Sequence, residues 1–190
     1  MSRIQIIEPK TPRLQLRQWT PGDRDAFAAM SVDPRVMEYF PSTLTRTESD
    51  AIAETCEALI AERGWGVWAV ELLKIGEFIG MTGLHIPSAE VPYSPCVEIL
   101  WRFSRPQWGN GYATEAAAAA LTVGFKQLAI QEIVSFAAVN NHRSRAVMER
   151  INMVDSGETF EHPEIPESSP LREHCLYKFS VERWWRAVVW

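Results

Sequence analysis

The chain has 190 residues, of which 46% are hydrophobic and 23% are charged, and its formal net charge is −5. This length suits one domain over residues 1–190, with a core at about residues 11–185. A chain of this size buries about 70% of its unfolded surface. Because the charge is negative and no basic stripe offsets it, we expect no nucleic-acid partner.

Cysteine and histidine spacing argues against disulfides and metals. Cys56, Cys96 and Cys175 have neither metal nor redox spacing, so we expect reduced thiols in a cytoplasmic protein. The four histidines also lack ligand-like intervals, so we expect no metal site. No apolar stretch approaches a membrane span and residues 1–10 lack a signal-peptide core, so we expect no membrane partner.

Strands and helices alternate along the predicted chain. The first half predicts strand 14–19, a helix that starts at Thr20-Pro21-Gly22-Asp23 and runs toward Met30, a helix from the Thr45-x-x-Glu48 capping box to Gly64, and strands 65–72, 77–86 and 96–104. The second half predicts helix 113–127, strand 132–139, helix 144–151 and strands 154–160 and 174–181. This order predicts a single mixed α/β (α+β) domain with a mostly antiparallel sheet.

The most informative motif is the run Gln107-Trp108-Gly109-Asn110-Gly111-Tyr112-Ala113-Thr114, which joins a predicted strand to a predicted helix. Glycines let the backbone approach an anion, and the first free N–H groups of a helix point at it. The run lacks the Lys-Ser or Lys-Thr of a P-loop and the third glycine of a dinucleotide fingerprint. It predicts a phosphate-binding turn; a plain tight turn between strand and helix is the alternative that the motif alone leaves open.

Four segments together resemble one family. The glycine run follows Glu98-Ile99-Leu100-Trp101-Arg102-Phe103, and the two resemble the acyl-CoA-binding core of the GNAT (GCN5-related N-acetyltransferase) family. The segment Asn141-His142-Arg143-Ser144-Arg145-Ala146-Val147-Met148-Glu149-Arg150 is similar to the family's second CoA-contacting segment. The beginning, residues 11–17, and the end, residues 176–184, resemble its RimJ/RimL-like branch. The resemblance therefore covers residues 11–185.

The resemblance implies a fold, a donor and a reaction. It implies a sheet of about seven strands flanked by helices and splayed in the middle for acyl-CoA. Acetyl-CoA would be the donor and a primary amine the acceptor, in a ternary complex without metal. The branch favours a protein N-terminal α-amine; a small-molecule amine and a catalytically silent acyl-CoA-binding sensor or partner module are the alternatives. The implied cofactor-binding residues are Trp101, Arg102, Phe103, Trp108, Gly109, Asn110, Gly111, Tyr112, Ala113, Thr114, Asn141, Ser144 and Arg145.

Glu98 and Ser144 are the candidate catalytic residues. An amine attacks only when it is neutral, so a base is expected. Glu98 is a lone carboxylate in an apolar strand, where burial would raise its pKa; an outward-facing ladder residue is the alternative. By resemblance, Ser144 returns a proton to the leaving thiolate, whereas N-capping is the structural alternative for Asn141 and Ser144.

Two further features bear on specificity and assembly. Leu100 stands where the RimJ/RimL-like branch often has glycine, which leaves the choice of acyl chain open. At the C-terminus, Trp184-Trp185 and the apolar residues 187–190 predict an exposed aromatic contact surface, and a homodimer is one hypothesis for it.

Overall fold

The computed structural model describes residues 4–88 and 90–188. In these ranges the strands are β1 (Leu14–Arg17), β2 (Val67–Leu72), β3 (Glu77–His85), β4 (Glu98–Phe103), β5 (Glu132–Ala138), β6 (Val154–Glu161) and β7 (Glu173–Ser180). The α-helices are α1 (Arg24–Ser31), α2 (Arg46–Arg63), α3 (Tyr112–Thr122), α4 (His142–Arg150) and α5 (Val181–Val188).

The seven strands form one sheet in the order β1-β2-β3-β4-β5-β7-β6. All neighbours are antiparallel except β4 and β5, which are joined through α3 as a parallel pair needs. Among the described residues, β4 and β5 pair at Glu98 with Val134 and their ladder ends there, although Ser135 Oγ still donates to Ile99 O at 3.0 Å. The mixed α/β domain with a mostly antiparallel sheet is confirmed, and the sheet opens between its two central strands.

Helices cover both faces of the sheet. The segment after α3 packs tightly on one face, where a Cβ added at Gly124 would lie 3.0 Å from Leu84 Cδ1. On the other face, the Arg102 guanidinium carbon lies 5.9 Å from the ring centre of Phe27 in α1. Leu84 pairs with Ile99, which is three residues from Arg102, and side chains alternate along a strand. α1 and α3 therefore lie on opposite faces of β4.

Local signals placed α2 correctly. Thr45 N donates to Glu48 Oε2 at 2.7 Å and Glu48 N donates to Thr45 Oγ1 at 3.3 Å, so the predicted capping box is confirmed. Gly64 ends the helix in the left-handed conformation at φ 81°. None of the helices in the described ranges is both long and apolar enough to cross a membrane.

The C-terminal segment differs from the expectation. Val181, predicted as the end of a strand, begins α5 instead, and the helix predicted to reach Gln127 changes to a π-helical turn at Val123–Gln127. Trp184 is only 4% exposed and its ring lies 5.5 Å from that of Phe125. The prediction of an exposed Trp184-Trp185 pair was therefore wrong for Trp184, which fills the core, whereas Trp185 is 46% exposed. Residues 189 and 190 of that predicted surface lie outside the described residues.

Candidate active site

The glycine run forms a tight turn that leads into α3. Gly109 and Gly111 have φ of 77° and 78°, a left-handed conformation that side chains with a Cβ disfavour. The turn is held by side chains: Trp108 Nε1 donates to Phe103 O at 2.8 Å, and Asn110 Nδ2 donates to Gln107 O at 3.1 Å. Trp108 therefore fastens the turn to the end of β4.

The N–H groups of this turn are free to bind an anion. The first bond of the helix is donated by Glu115 N to Gly111 O at 3.0 Å. Within the described ranges, the backbone N–H groups from Gly109 to Thr114 donate to no other protein group. Since α3 adds its positive dipole end, this turn fits the phosphates of a CoA-type donor.

The gap between β4 and β5 presents unpaired peptide groups. Ser104 N donates to Ile79 O, so the peptide groups of Ser104 point toward β3. Peptide groups alternate in direction along an antiparallel strand. Those of Arg102 therefore also point toward β3, whereas those of Trp101 and Phe103 point toward the gap. Phe103 O is used by the Trp108 indole. The N–H groups of Trp101 and Phe103 can therefore donate to a carbonyl in the gap.

Glu98 lies where the gap begins. It is 7% exposed, and its Oε2 lies 2.6 Å from Nε2 of His85 on β3. Burial raises the pKa of the Glu98 carboxyl, and the hydrogen bond and charge of His85 oppose that rise. This burial contradicts the outward-facing part of the alternative, but Glu98 does form a cross-strand ladder pair with His85. A buried carboxyl with a raised pKa beside the gap has the properties of a general base.

Asn141 and Ser144 begin α4. Asn141 is the N-cap, and its Oδ1 accepts a hydrogen bond from Ser144 N at 3.1 Å. The capping alternative is thus present for Asn141, although its side-chain amide donors are not used by this bond. The Ser144 hydroxyl makes no hydrogen bond to another described residue, so it is free to act on a ligand.

Arg145 is engaged inside the protein. Its Nε lies 3.3 Å from Tyr177 Oη, its Nη1 lies 3.2 Å from Val139 O, and its Nη2 lies 3.3 Å from Asp155 Oδ2. Tyr177 Oη in turn donates to Glu149 Oε1 at 3.1 Å. These contacts brace α4 against β6 and β7. The cofactor contact expected of Arg145 stays a prediction, and binding a phosphate would require it to exchange these partners.

Two arginines near the turn were not among the predicted site residues. Arg13 donates through Nε to Glu115 Oε2 at 2.6 Å and through Nη1 to Asn110 O at 2.9 Å, and it lies over the Tyr112 ring. Arg143 stacks 4.7 Å from the Trp108 ring centre and pairs with Glu38. Arg13 contacts the phosphate turn across 97 or more residues, so no local signal marked it. Arg143 lies in the segment that resembles the second CoA-contacting segment, where a contact with CoA phosphates and a solvated helix position are both open, and it contacts Trp108 of the turn.

Arg102 occupies a different place from the other predicted cofactor-binding residues. Its peptide groups face β3, and its guanidinium lies on the α1 face, away from α3. The cofactor contact predicted for Arg102 is untested, and its position favours another role. In the part of the chain that the structure describes, no group of three or more His, Cys, Asp or Glu side chains has the arrangement of a metal site.

Comparison with known proteins agrees with this geometry. Residues 13–154 match the family model of the acetyltransferase (GNAT) domain. The uncharacterized protein YkkB of Bacillus subtilis is 32% identical over 75% of this chain and 83% of its own length. The FsC-acetyl coenzyme A-N(2)-transacetylase of Aspergillus fumigatus is 28% identical over 93% of this chain and 77% of its own. A GNAT-family acetyltransferase structure from Bacillus anthracis superposes with a TM-score of 0.77 at 25% identity, covering 93% of this chain and 99% of that one.

Proposed function

Because the chain belongs to the GNAT family and is an acyltransferase that uses acetyl-CoA as donor, we propose that it acetylates a primary amine by direct attack in a ternary complex. The observation that carries this proposal is the β4–β5 gap, which has free peptide N–H groups on one edge and the buried Glu98 at its closed end. Acetyl-CoA supplies the activated acetyl group when it is bound. No covalent acetyl-enzyme is needed.

Glu98 is proposed as the general base. A primary amine near neutral pH is largely protonated and must lose that proton before it attacks. A carboxylate whose pKa is raised by burial takes the proton more effectively than an exposed one. Since His85 holds Glu98 Oε2 at 2.6 Å, the carboxyl group is fixed in position for this transfer.

Main-chain donors and Ser144 are proposed to complete the site. The N–H groups of Trp101 and Phe103 stabilise the oxygen on which negative charge develops, as a preformed oxyanion hole does. The Ser144 hydroxyl, which has no partner among the described residues, donates a proton to the leaving thiolate. Asn141 caps the N-terminus of α4 and so fixes the position of Ser144. Its side-chain N–H groups are left to donate hydrogen bonds to acetyl-CoA.

The proposed acceptor is a protein N-terminal α-amine. The ends of the chain resemble the RimJ/RimL-like branch, and this resemblance supports the assignment. An α-amine with a pKa of about 7.7–8.0 also needs far less deprotonation than a lysine side chain at about 10.4. A single carboxylate base is sufficient for such an acceptor.

A small-molecule amine is the second candidate. The Aspergillus fumigatus relative that matches 93% of this chain is named for acetyl transfer to an N(2) position. That name concerns the relative, and it makes a small amine worth testing here. A catalytically silent module that binds acyl-CoA is the remaining alternative.

The test begins with calorimetric titration of acetyl-CoA, with adenosine and NAD as controls. CoA release is then measured with peptides that have a free N-terminus, with the same peptides blocked by N-acetylation and carrying an internal lysine, and with small primary amines. Turnover of the free N-termini alone supports the proposal. Turnover of small amines alone supports the second candidate, and saturable binding without any turnover supports the silent module.

We also propose a cytoplasmic location, in which the thiols stay reduced. Burial raises the pKa of the Cys56 thiol to about 11 and raises that of Cys175, which keeps both protonated and unreactive. A homodimer that uses the exposed Trp185 stays a prediction. Solution mass of the wild type and of Trp185→Ala tests it, since a monomer in both cases removes the idea.

A further inference from the structure

Two of the three guanidinium nitrogens of Arg102 are buried without a hydrogen-bond partner, although the residue as a whole is only partly buried. Its Nε and Nη1 are closed off from solvent, and among the described residues no acceptor lies within hydrogen-bonding distance of them. Its surroundings are aromatic: the guanidinium carbon lies 4.3 Å from the ring centre of Phe40 and 5.9 Å from that of Phe27. Phe40 lies in the connection between α1 and α2 and is 38% exposed. Since Arg102 itself is only partly buried, its surroundings are open to solvent on one side.

Arg102 is charged at neutral pH in spite of this burial. Burial lowers the pKa of the guanidinium to about 10, which leaves it protonated at physiological pH. Among the described residues, no carboxylate forms an ion pair with Arg102, and the neighbouring Cys56 thiol, whose pKa burial raises to about 11, is uncharged at neutral pH. Contact with aromatic faces offsets only part of the free-energy cost of removing a cation from water. An anion that binds to such an arginine would offset more of this cost.

The position of Arg102 relates this charge to the proposed reaction. Glu98 and Arg102 are four residues apart on β4, so their side chains lie on the same face with Cα atoms about 13 Å apart. The segment after α3 packs on the opposite face of β4. Since Arg102 shares this face of β4 with Glu98, an acceptor that approaches Glu98 along the face can also reach Arg102.

We propose that Arg102 is a specificity-determining residue that binds a carboxylate of the acceptor molecule, so that the preferred substrate is a primary amine that also carries a negative charge. This inference rests on the proposed function. The side chains of Glu98 and Arg102 cover part of the distance between their Cα atoms. An extended dipeptide or tripeptide, at about 3.3–3.6 Å per residue, is long enough to cover the rest. The carboxylate therefore belongs either to the C-terminus of a small amine or to an acidic side chain near a protein N-terminus.

The test uses pairs of acceptors that differ only in charge. Glycylglycine is compared with glycylglycinamide, and an octapeptide with Asp at its second position is compared with the same octapeptide with Asn there. The wild type should use the anionic member of at least one pair with kcat/KM about 10-fold higher or more, through KM. The pair that responds identifies which source supplies the carboxylate.

Three variants separate this role from packing. Arg102→Met fills the same space and should lose the discrimination, so that kcat/KM for the anionic acceptor falls to the value for the neutral one. Arg102→Lys keeps the charge and should restore part of it. Arg105→Met, at an exposed arginine of the same segment, is the matched control and should behave as the wild type. The melting temperature of Arg102→Met should equal or exceed that of the wild type, since a buried unpaired charge is removed.

A measurement without turnover keeps this inference separate from the proposed function. Succinate is titrated into the complexes of CoA with the wild type and with Arg102→Met. If succinate binds to the wild type and Arg102→Met abolishes this binding, the anion site is supported. This holds even if no amine is acetylated, because the absence of acetylation overturns the proposed function and not the anion site. Equal use of charged and neutral acceptors together with absent succinate binding overturns the anion site. A uniform loss with both acceptors in Arg102→Met and Arg102→Lys also overturns it, because such a loss indicates a structural role.

Discussion

His85 and Glu98 lie on neighbouring strands with Nε2 and Oε2 only 2.6 Å apart, directly beside the point at which β4 and β5 separate. Burial and this contact act on the pKa of Glu98 in opposite directions, and burial dominates. The pair therefore fixes both the position and the proton affinity of the proposed base. The rate of acetyl transfer should therefore depend on pH, and substitution of His85 should shift that dependence in a defined direction.

Glu98→Gln should remove the base without disturbing the donor site. We expect kcat to fall by about 10²- to 10⁴-fold, the usual contribution of general acid–base catalysis, with acetyl-CoA affinity unchanged. The measurement is CoA release across about pH 6 to 9. Glu132→Gln, at an exposed glutamate on β5, is the control and should keep wild-type rates. Full turnover by Glu98→Gln over this range would show that another group is the base.

His85→Ala should shift the pH profile. The contact with His85 lowers the pKa of Glu98, so its loss lets burial raise that pKa further. The rise of kcat/KM with pH should therefore move to higher pH, while the plateau at high pH is kept. His85→Gln returns a hydrogen-bond donor and should move the profile part of the way back. An unshifted profile in His85→Ala would mean that the profile reports a group other than Glu98.

Glu98 should also make stability depend on pH. Because its folded pKa is raised above its unfolded value, its stabilising contribution is complete below the unfolded pKa and is lost as pH rises through the folded pKa. Glu98→Gln does not titrate, so its melting temperature relative to wild type should rise between about pH 5 and about pH 8. Calorimetric melting curves at both values check this; a difference that stays constant or falls contradicts the pKa direction.

Gly111→Ala should weaken the phosphate turn. At φ 78° a Cβ costs about 1–2 kcal/mol, and relief of that strain moves the N–H groups that face the phosphates. We expect a lower melting temperature and a weaker acetyl-CoA affinity, measured by calorimetric titration. Gly22→Ala is the matched control, because its backbone does not have a positive φ and the added Cβ approaches only Thr20 Oγ1, at 3.7 Å. Equal effects of the two substitutions would assign the loss to general destabilisation.

Asn141→Ala and Ser144→Ala should have different consequences. Asn141 caps α4, and loss of its bond to Ser144 N should cost about 0.5–2 kcal/mol of unfolding free energy and reduce acetyl-CoA affinity. Ser144→Ala keeps the cap acceptor, so we expect normal stability and affinity with a lower kcat. Denaturant unfolding and single-turnover CoA release separate the two effects. A normal kcat in Ser144→Ala would remove it as the proton donor.

Features that depend on neighbouring residues could be predicted from the sequence. The capping box of Thr45 and Glu48, the end of α2 at Gly64, and the turn at Gly109 and Gly111 are set within a few residues, and their positions agree with the structure. α5 was missed although it has local signals: Ser180 Oγ accepts a hydrogen bond from Arg183 N at 3.3 Å, and Glu182 and Arg186 lie in its first and last turns. Only the burial of Trp184 against Phe125 depends on a residue far away in the chain.

The sequence by itself determined the order of strands and helices as far as β7, the glycine turn and the four segments that resemble the family, since each depends on short-range spacing of residue types. Only the tertiary structure decided the separation of β4 from β5, the contact of His85 with Glu98, and the burial of Arg102 against Phe40. Those relationships join elements far apart in the chain. They follow from how whole helices and strands pack on one another. The packing free energy that favours them arises between segments, so the sequence of one segment does not reveal it.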